Sequence, residues 1–171
     1  RHSEHFGELV QALDGVEGID RYRISSIEPN LLTDEIIEFV AGSKRFMPHF
    51  HIPLQSGCNR ILGLMRRRYR RALYQQRVAL IKKLMPHACI GVDVITGFPS
   101  ESEEDFRETV DFLRDMDVSY FHVFTYSERE NTEALKIDPV VPVPTRHERT
   151  RVLRNLSYKK MQYFTQAHQE E

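Results

Sequence analysis

The stretch Gly91-Val-Asp-Val-Ile-Thr-Gly-Phe-Pro-Ser-Glu-Ser-Glu-Glu-Asp-Phe106 carries an apolar strand without a spacer into a glycine turn and then a helix start. Ile90 to Ile95 has the composition of a buried strand. Thr96-Gly97-Phe98-Pro99 ends it, and Gly97 lets the backbone come close to a bound molecule because it has no side chain and can take positive φ. Ser100 and Ser102 each precede an acid by three residues and offer caps for the next helix, whose first amides point toward the same mouth. The junction is therefore that of a ligand pocket. Asp93 lies inside the strand, where a carboxylate needs either hydrogen-bond partners or a cavity. An internal bond to backbone and a ligand role are both open to it.

Outward from this stretch, strands alternate with helices. Phe6 to Leu13 has helical spacing and stops at Asp14-Gly15, and Arg21 to Ile27 reads as a short strand. Thr33 caps a helix with Ile36, Ile37 and Val40 inward. Phe50 to Leu54 is the next strand, Asn59 to Met65 a short helix, and Arg71 to Leu84 a longer one with Leu73, Val78, Ile81 and Leu84 inward. Glu103 to Met116 is helical and Tyr120 to Tyr126 a fourth strand. Pro139 to Pro144 reads as an extended linker, after which Thr145 caps a helix to about Ala167. Hairpin turns are absent and every connection is long enough for a crossover, so the fold class is α/β with about four parallel strands. Parallel sheets bind ligands at the carboxyl ends of their strands, which here are Ser26 and Glu28, Gln55 and Ser56, Thr96 to Pro99, and Tyr126 to Arg129.

A chain of 171 residues with a formal charge of -1 suits one globular domain and excludes a grossly basic nucleic-acid binder. Two cysteines, Cys58 and Cys89, make no disulfide framework and fit a reducing compartment. No apolar run approaches membrane-spanning length and no signal peptide is visible at Arg1, so the expected location is cytoplasmic. Charge is nonetheless segregated. Nine cations and no acid occupy Asn59 to Lys83, whereas eight acids and two arginines occupy Glu101 to Asp117. These are either complementary solvated helix faces or, for the first run, a rim that meets phosphates.

Four separated blocks now resemble a family. His51-Ile-Pro-Leu-Gln-Ser-Gly57, Leu64-Met65-Arg66-Arg67-Arg68-Tyr69, Asp93-Val-Ile-Thr-Gly-Phe-Pro99 with Glu101, and Phe124-Thr-Tyr-Ser-Glu-Arg129 with Asn131-Thr-Glu-Ala134 are similar to the radical S-adenosylmethionine methylthiotransferases. Arg23-Ile-Ser-Ser-Ile-Glu-Pro29 most resembles the members that modify threonylcarbamoyladenosine in tRNA. The resemblance runs from Leu9 to Glu171, with Ser100 where the family usually has Gly, Ser102 for Thr and Glu130 for Pro. It implies a partial TIM-like barrel over 1–138, and a linker and helix over 139–171 that lead to a small RNA-binding domain beyond the chain. It also implies S-adenosylmethionine and [4Fe-4S] clusters as cofactors and tRNA as partner.

The family's Cys-x-x-x-Cys-x-x-Cys motif does not occur in this chain, and neither Cys58 nor Cys89 has a second cysteine nearby to replace it. By resemblance those ligands precede Arg1, an auxiliary cluster domain precedes them, and the isolated segment does not catalyse. What the resemblance assigns here is part of the S-adenosylmethionine pocket. Gln55 and Asp93 fall near the ribose, Arg67 near the methionyl carboxylate, and Thr96, Gly97, Phe98 and Pro99 around the adenine, with Ser56 and Tyr126 as further contacts. An arginine suits bidentate carboxylate pairing. The implied chemistry is one-electron cleavage of the sulfonium to a 5′-deoxyadenosyl radical, with orientation and electrostatics left to the protein.

The last helix interleaves Arg146, Arg149, Arg151, Arg154, Lys159 and Lys160 with Tyr158, Tyr163 and Phe164, either to track tRNA phosphate or to pack apolar residues beneath a wet basic face. Two rival readings remain. His49-Phe-His51 is an H-x-H pair of the kind that barrel metallohydrolases use for zinc, but it lies toward the start of its strand, as does His122. A clusterless nucleotide- or RNA-binding module is the other. An exposed strand edge at Arg21 to Ile27 would also favour self-association, which a monomer by light scattering at high concentration counts against.

Overall fold

The computed structural model describes residues 5–169. Strands β1 (Tyr22–Ile24), β2 (Phe46–Gln55), β3 (Cys89–Thr96) and β4 (Tyr120–Thr125) form one sheet in sequence order, with every pairing parallel. Helices α1 (Phe6–Asp14), α2 (Asp34–Gly42), α3 (Asn59–Leu64), α4 (Arg71–Leu84), α5 (Glu103–Asp115) and α6 (Val143–Ala167) lie between and after them, with a 3-10 turn at Glu133–Lys136. Parallel strands in sequence order, joined through helices, make a barrel segment, so the expected α/β class and partial TIM-like barrel hold.

Strand alternation gives the sheet two unlike faces. On one, Phe50, Ile52, Leu54, Ile90, Val92, Val94, Phe121 and Val123 share a single core with Ile36, Ile37 and Val40 of α2, Tyr74, Val78 and Ile81 of α4, Phe106 and Leu113 of α5, and Leu153 of α6. Each such side chain contributes about 1.5–3 kcal/mol on burial, so this face holds the fold together. The other face carries His49, His51, Asp93, Ile95, Tyr120, His122 and Phe124, of which His122 and Phe124 are exposed.

Local chemistry explains where the elements begin. Thr33 accepts from the Ile36 amide to cap α2, and Ser102 and Asp105 form a reciprocal capping box at the start of α5. Several boundaries and facings differ from expectation. β2 is longer than Phe50 to Leu54 because Pro48 is tolerated in it, and a register shift between Pro53 and Gln55 absorbs the second proline. β1 is shorter than Arg21 to Ile27, although the Ile27 amide still donates to His51 O at 3.0 Å. In α4, Tyr74 takes the inward position, its hydroxyl donating to Ile52 O at 2.9 Å, while Leu84 is exposed. Helix α6 begins before Thr145, with Pro142 at its cap and Pro144 in its first turn, where a missing amide costs nothing.

The helix expected within 139–171 packs on the sheet through Leu153 and joins the same core as the rest. Arg1 and Glu171, the outer ends of the 1–138 and 139–171 divisions and of the resemblance, lie outside the described residues. Among the described residues no helix is long and apolar enough to cross a membrane.

Candidate functional site

The turn after β3 is built as a close approach. Gly97 has φ 74°, and a Cβ on it would fall 2.4 Å from Arg146 Cγ. Its amide donates to Glu101 Oε1 at 2.9 Å, and Arg149 Nη1 donates to the same oxygen at 2.7 Å. Burial pushes the Glu101 carboxyl above its usual range, while the Gly97 amide and Arg149 pull it back. Arg146 donates to Val141 O at 2.7 Å, Tyr126 O at 3.1 Å and Glu128 Oε1 at 2.5 Å. Two arginines of α6 thus hold the turn from behind.

For Arg146, Arg149 and Lys160 this corrects both readings of the α6 cations. Arg146 and Arg149 are buried, and Lys160 donates inward to Met116 O at 2.6 Å, while Arg151, Arg154, Lys159, Tyr158 and Tyr163 are exposed. The 59–83 run behaves as the complementary reading expects, with Arg60 paired to Asp105, Arg71 to Glu108 and Lys82 to Asp117. Arg66 and Arg68 remain exposed beside the strand ends.

Two cavities open at the carboxyl ends of the strands. One, of about 380 Å3, is lined by Gln55, Asp93, Ile95, Phe124, Thr125, Tyr126, Ser127, Arg129, Thr132 and Ala134. The other, of about 510 Å3, is lined by residues that include Arg66, Arg67, Ile95, Phe98, Tyr126, Ala134 and Ile137. Shared Ile95, Tyr126 and Ala134 make them two lobes of one cleft. Gln55 reaches it because β2 kinks there, with φ 70° at the register shift, which re-aims the side chain. Phe98 and Tyr126 meet edge to face at 5.4 Å. Burial raises the Tyr126 phenol, and its hydroxyl has no partner among the described residues. Arg67 places Nη1 3.5 Å from Glu28 Oε1 and leaves a buried Nε unpartnered among the described residues. A buried donor without a partner costs about 1–3 kcal/mol, so the Arg67 fork and the Tyr126 hydroxyl mark places where a polar ligand gains most.

Asp93 has its hydrogen-bond partner from side chains, with His51 Nε2 2.8 Å and His122 Nδ1 3.4 Å from Oδ1. One ligand atom from each of His51, Asp93 and His122 lies within 4.8 Å of the others. The H-x-H pair does not converge. His49 Nε2 turns to Tyr120 Oη at 3.4 Å, and burial lowers its pKa.

Gln55, Arg67, Asp93, Phe98 and Tyr126 therefore come together in the cleft. Ser56, Thr96, Gly97 and Pro99 line neither lobe. The Ser56 hydroxyl pairs with Thr109 Oγ1 at 3.2 Å and accepts from the Cys58 amide, and the Thr96 hydroxyl pairs with Thr150 Oγ1 at 2.7 Å. Ile95 faces the cleft, so alternation turns Thr96 toward α6. The chain's residues do not suit a cluster. Cys58 stands at the N-terminal boundary of α3, donates to Asp105 Oδ1 at 3.2 Å and has its thiol pushed up to about 11 by burial, while Cys89 opens β3 at the sheet's other end. Phe124 lines the cleft without having been named as a site residue, Arg129 was named only as part of a strand end, and His51 only as half of the H-x-H pair. Alternation from Asp93 along β3 and its neighbours was the available signal for Phe124 and for the true partner of His51.

The sequence model of the radical SAM superfamily matches residues 3–113. The chain belongs to the radical SAM superfamily. It is 44% identical over 156 residues to the threonylcarbamoyladenosine tRNA methylthiotransferase MtaB of Aquifex aeolicus, covering 91% of this chain and 38% of that protein. Against MtaB of Bacillus subtilis it is 42% identical, covering 90% of this chain and 34% of the relative. The tRNA-2-methylthio-N(6)-dimethylallyladenosine synthase of Nocardia farcinica is also 42% identical, with coverage of 84% and 29%. The chain thus spans about a third of the length of the curated relatives it matches. Coproporphyrinogen III oxidase of Escherichia coli, described as a radical SAM enzyme, superposes with a TM-score of 0.60 at 14% identity, covering 86% of this chain and 32% of that one. That likeness speaks to the fold, the radical SAM barrel segment.

Proposed function

We propose that this chain forms the S-adenosylmethionine-binding part of a radical enzyme that adds a methylthio group to a modified adenosine of tRNA, with threonylcarbamoyladenosine as the favoured base. The observation that carries the reading is the convergence of Gln55, Arg67, Asp93, Phe98 and Tyr126 on one cleft, with the Arg67 Nε and Tyr126 hydroxyl unpartnered. The names of the relatives support the reaction and the base.

The residues present fit the cofactor's polar groups. Arg67 offers its Nε edge to the methionyl carboxylate while Glu28 occupies Nη1. Asp93 accepts from the ribose hydroxyls through Oδ2, and the Gln55 amide reaches the same sugar. Phe98 and Tyr126 border the adenine, and the backbone of Thr96, Gly97 and Pro99 sets how closely it approaches. Ser56 supports Gln55 from behind through Thr109. When bound and reduced, S-adenosylmethionine supplies the radical chemistry. The [4Fe-4S] ligands do not come from Cys58 or Cys89, and in this reading they lie in the complete protein outside this chain, as does an RNA-binding domain. Exposed Arg66 and Arg68 meet tRNA phosphate, the protein works in the cytoplasm, and the outer edge of β1 accepts a further strand or a second copy.

Nucleoside mass spectrometry of tRNA from cells lacking the gene, then complemented with it, tests the reaction. Loss and recovery of the 2-methylthio form of threonylcarbamoyladenosine is expected. Loss from dimethylallyladenosine instead would move the substrate to that of the second group of relatives, and no change in either would overturn the reading. A clusterless RNA-binding module would show salt-dependent RNA binding with no affinity for S-adenosylmethionine.

A further inference from the structure

We infer that His51 is a positioning residue, one that holds the Asp93 carboxylate with Oδ1 engaged and Oδ2 presented to the cleft. The inference rests on the reading of that cleft as the cofactor site. Three observations carry it. Asp93 and His122 are direct cross-strand partners on β3 and β4, and His51 stands on β2 diagonally behind them, so all three side chains emerge on one face. Both contacts to the carboxylate go to Oδ1, at 2.8 Å from His51 and 3.4 Å from His122. Finally, the His51 ring is held in place while the His122 ring is not. The His51 side chain is 10% exposed against 56% for His122.

What holds the His51 ring is the missing side chain of Gly91. A Cβ on Gly91 would lie 2.7 Å from His51 Nδ1 and 2.5 Å from both Cζ and Oη of Tyr120. The glycine thus opens the slot in which the His51 and Tyr120 rings settle, with centroids 6.3 Å apart. A fixed ring fixes Nε2, and a hydrogen bond from Nε2 fixes one edge of the carboxylate. Asp93 then meets a diol without first giving up a choice of rotamers, which is preorganisation. His122, long in distance and open to solvent, adds little.

Binding to the complete protein tests this with two probes, 5′-methylthioadenosine and its 2′,3′-dideoxy counterpart. The wild type is expected to prefer the diol by about tenfold or more, the range of a hydrogen bond to a charged group. His51→Leu is expected to lower that preference below about threefold while the dideoxy probe binds as before, and His51→Gln, which can donate from the same place, to restore it. His122→Ala leaves it nearly intact. A merely structural role for His51 would weaken both probes equally, which would overturn the inference, as would a full preference in His51→Leu. A wild type without any preference would overturn the ribose role of Asp93 and this inference with it. A visible Co(II) absorption band that disappears in both His51→Leu and His122→Ala would also overturn it, because the trio would then be a metal site.

Discussion

The two faces of the same four strands differ in almost every respect. Leu54, Val92 and Val123 point to helices and are fully or nearly fully buried, while Asp93, His122 and Phe124, interleaved with them, point to an open face with little covering it. One face carries stability and the other carries the proposed binding cleft, and a period of two residues separates them. A similar contrast divides the carboxylates. Glu101 is spent on Arg149 and on the Gly97 amide and serves the shape of the turn, whereas Asp93 keeps an oxygen available.

The sharpest way to break this comparison is Arg149→Ala, which leaves the buried Glu101 carboxylate without its cation. Equilibrium urea unfolding is expected to show a loss of about 3–5 kcal/mol. Leu54→Ala on the helix-facing side is expected to cost about 2–5 kcal/mol in the same assay, against less than about 1 kcal/mol for Asp93→Asn, whose effect falls on ligand affinity instead. Similar losses from the two would erase the division of labour between the faces.

The Arg60 guanidinium, with the capping box and the Cys58 thiol, holds the Asp105 carboxyl far below the usual range. A depressed folded-state pKa stabilises above the unfolded value of about 3.9, and that contribution fades as pH falls below it. Asp105→Asn is therefore expected to remove about 1–3 kcal/mol at pH 7 and to flatten the loss of stability below about pH 4, as followed by thermal unfolding against pH. An unchanged acid limb would mean that Asp105 is not the group being titrated. The smallest effect concerns Ser100, which takes φ 68° at a position where the resembled family usually has glycine. Ser100→Gly is expected to raise stability by up to about 1 kcal/mol, because left-handed backbone strains any residue with a Cβ. Loss of stability would show that the hydroxyl's bond from Arg60, at 3.2 Å, matters more than the strain.

Much of this was legible in the chain. The alternation of strand and helix signals placed all four strands, and the Asp93 to Pro99 block placed the end of the sheet at which the cleft opens. Gln55, Arg67 and Tyr126, drawn from three separate segments, do meet in one cleft. The errors were of one kind. Arg146 and Arg149 read as surface cations because a helix rich in arginine has no local mark of which face is covered. Thr96 and Ser56 turn their hydroxyls away from the cleft, toward Thr150 and Thr109, which local pattern does not mark. Ser102 behaved as a cap should, whereas Thr145 did not, since Pro142 and Pro144 had already started the helix.

Local pattern therefore determined the elements, the parallel α/β class and the strand ends at which the cleft opens, because hydrophobic periodicity, caps and glycine turns act over a few residues. Tertiary structure alone decided the fate of each charge. Whether Arg149 meets water or Glu101, and whether Asp93 meets backbone or His51, depends on side chains 48 and 42 residues away in the chain. The energy of a charge is set by the burial and partners it finds there.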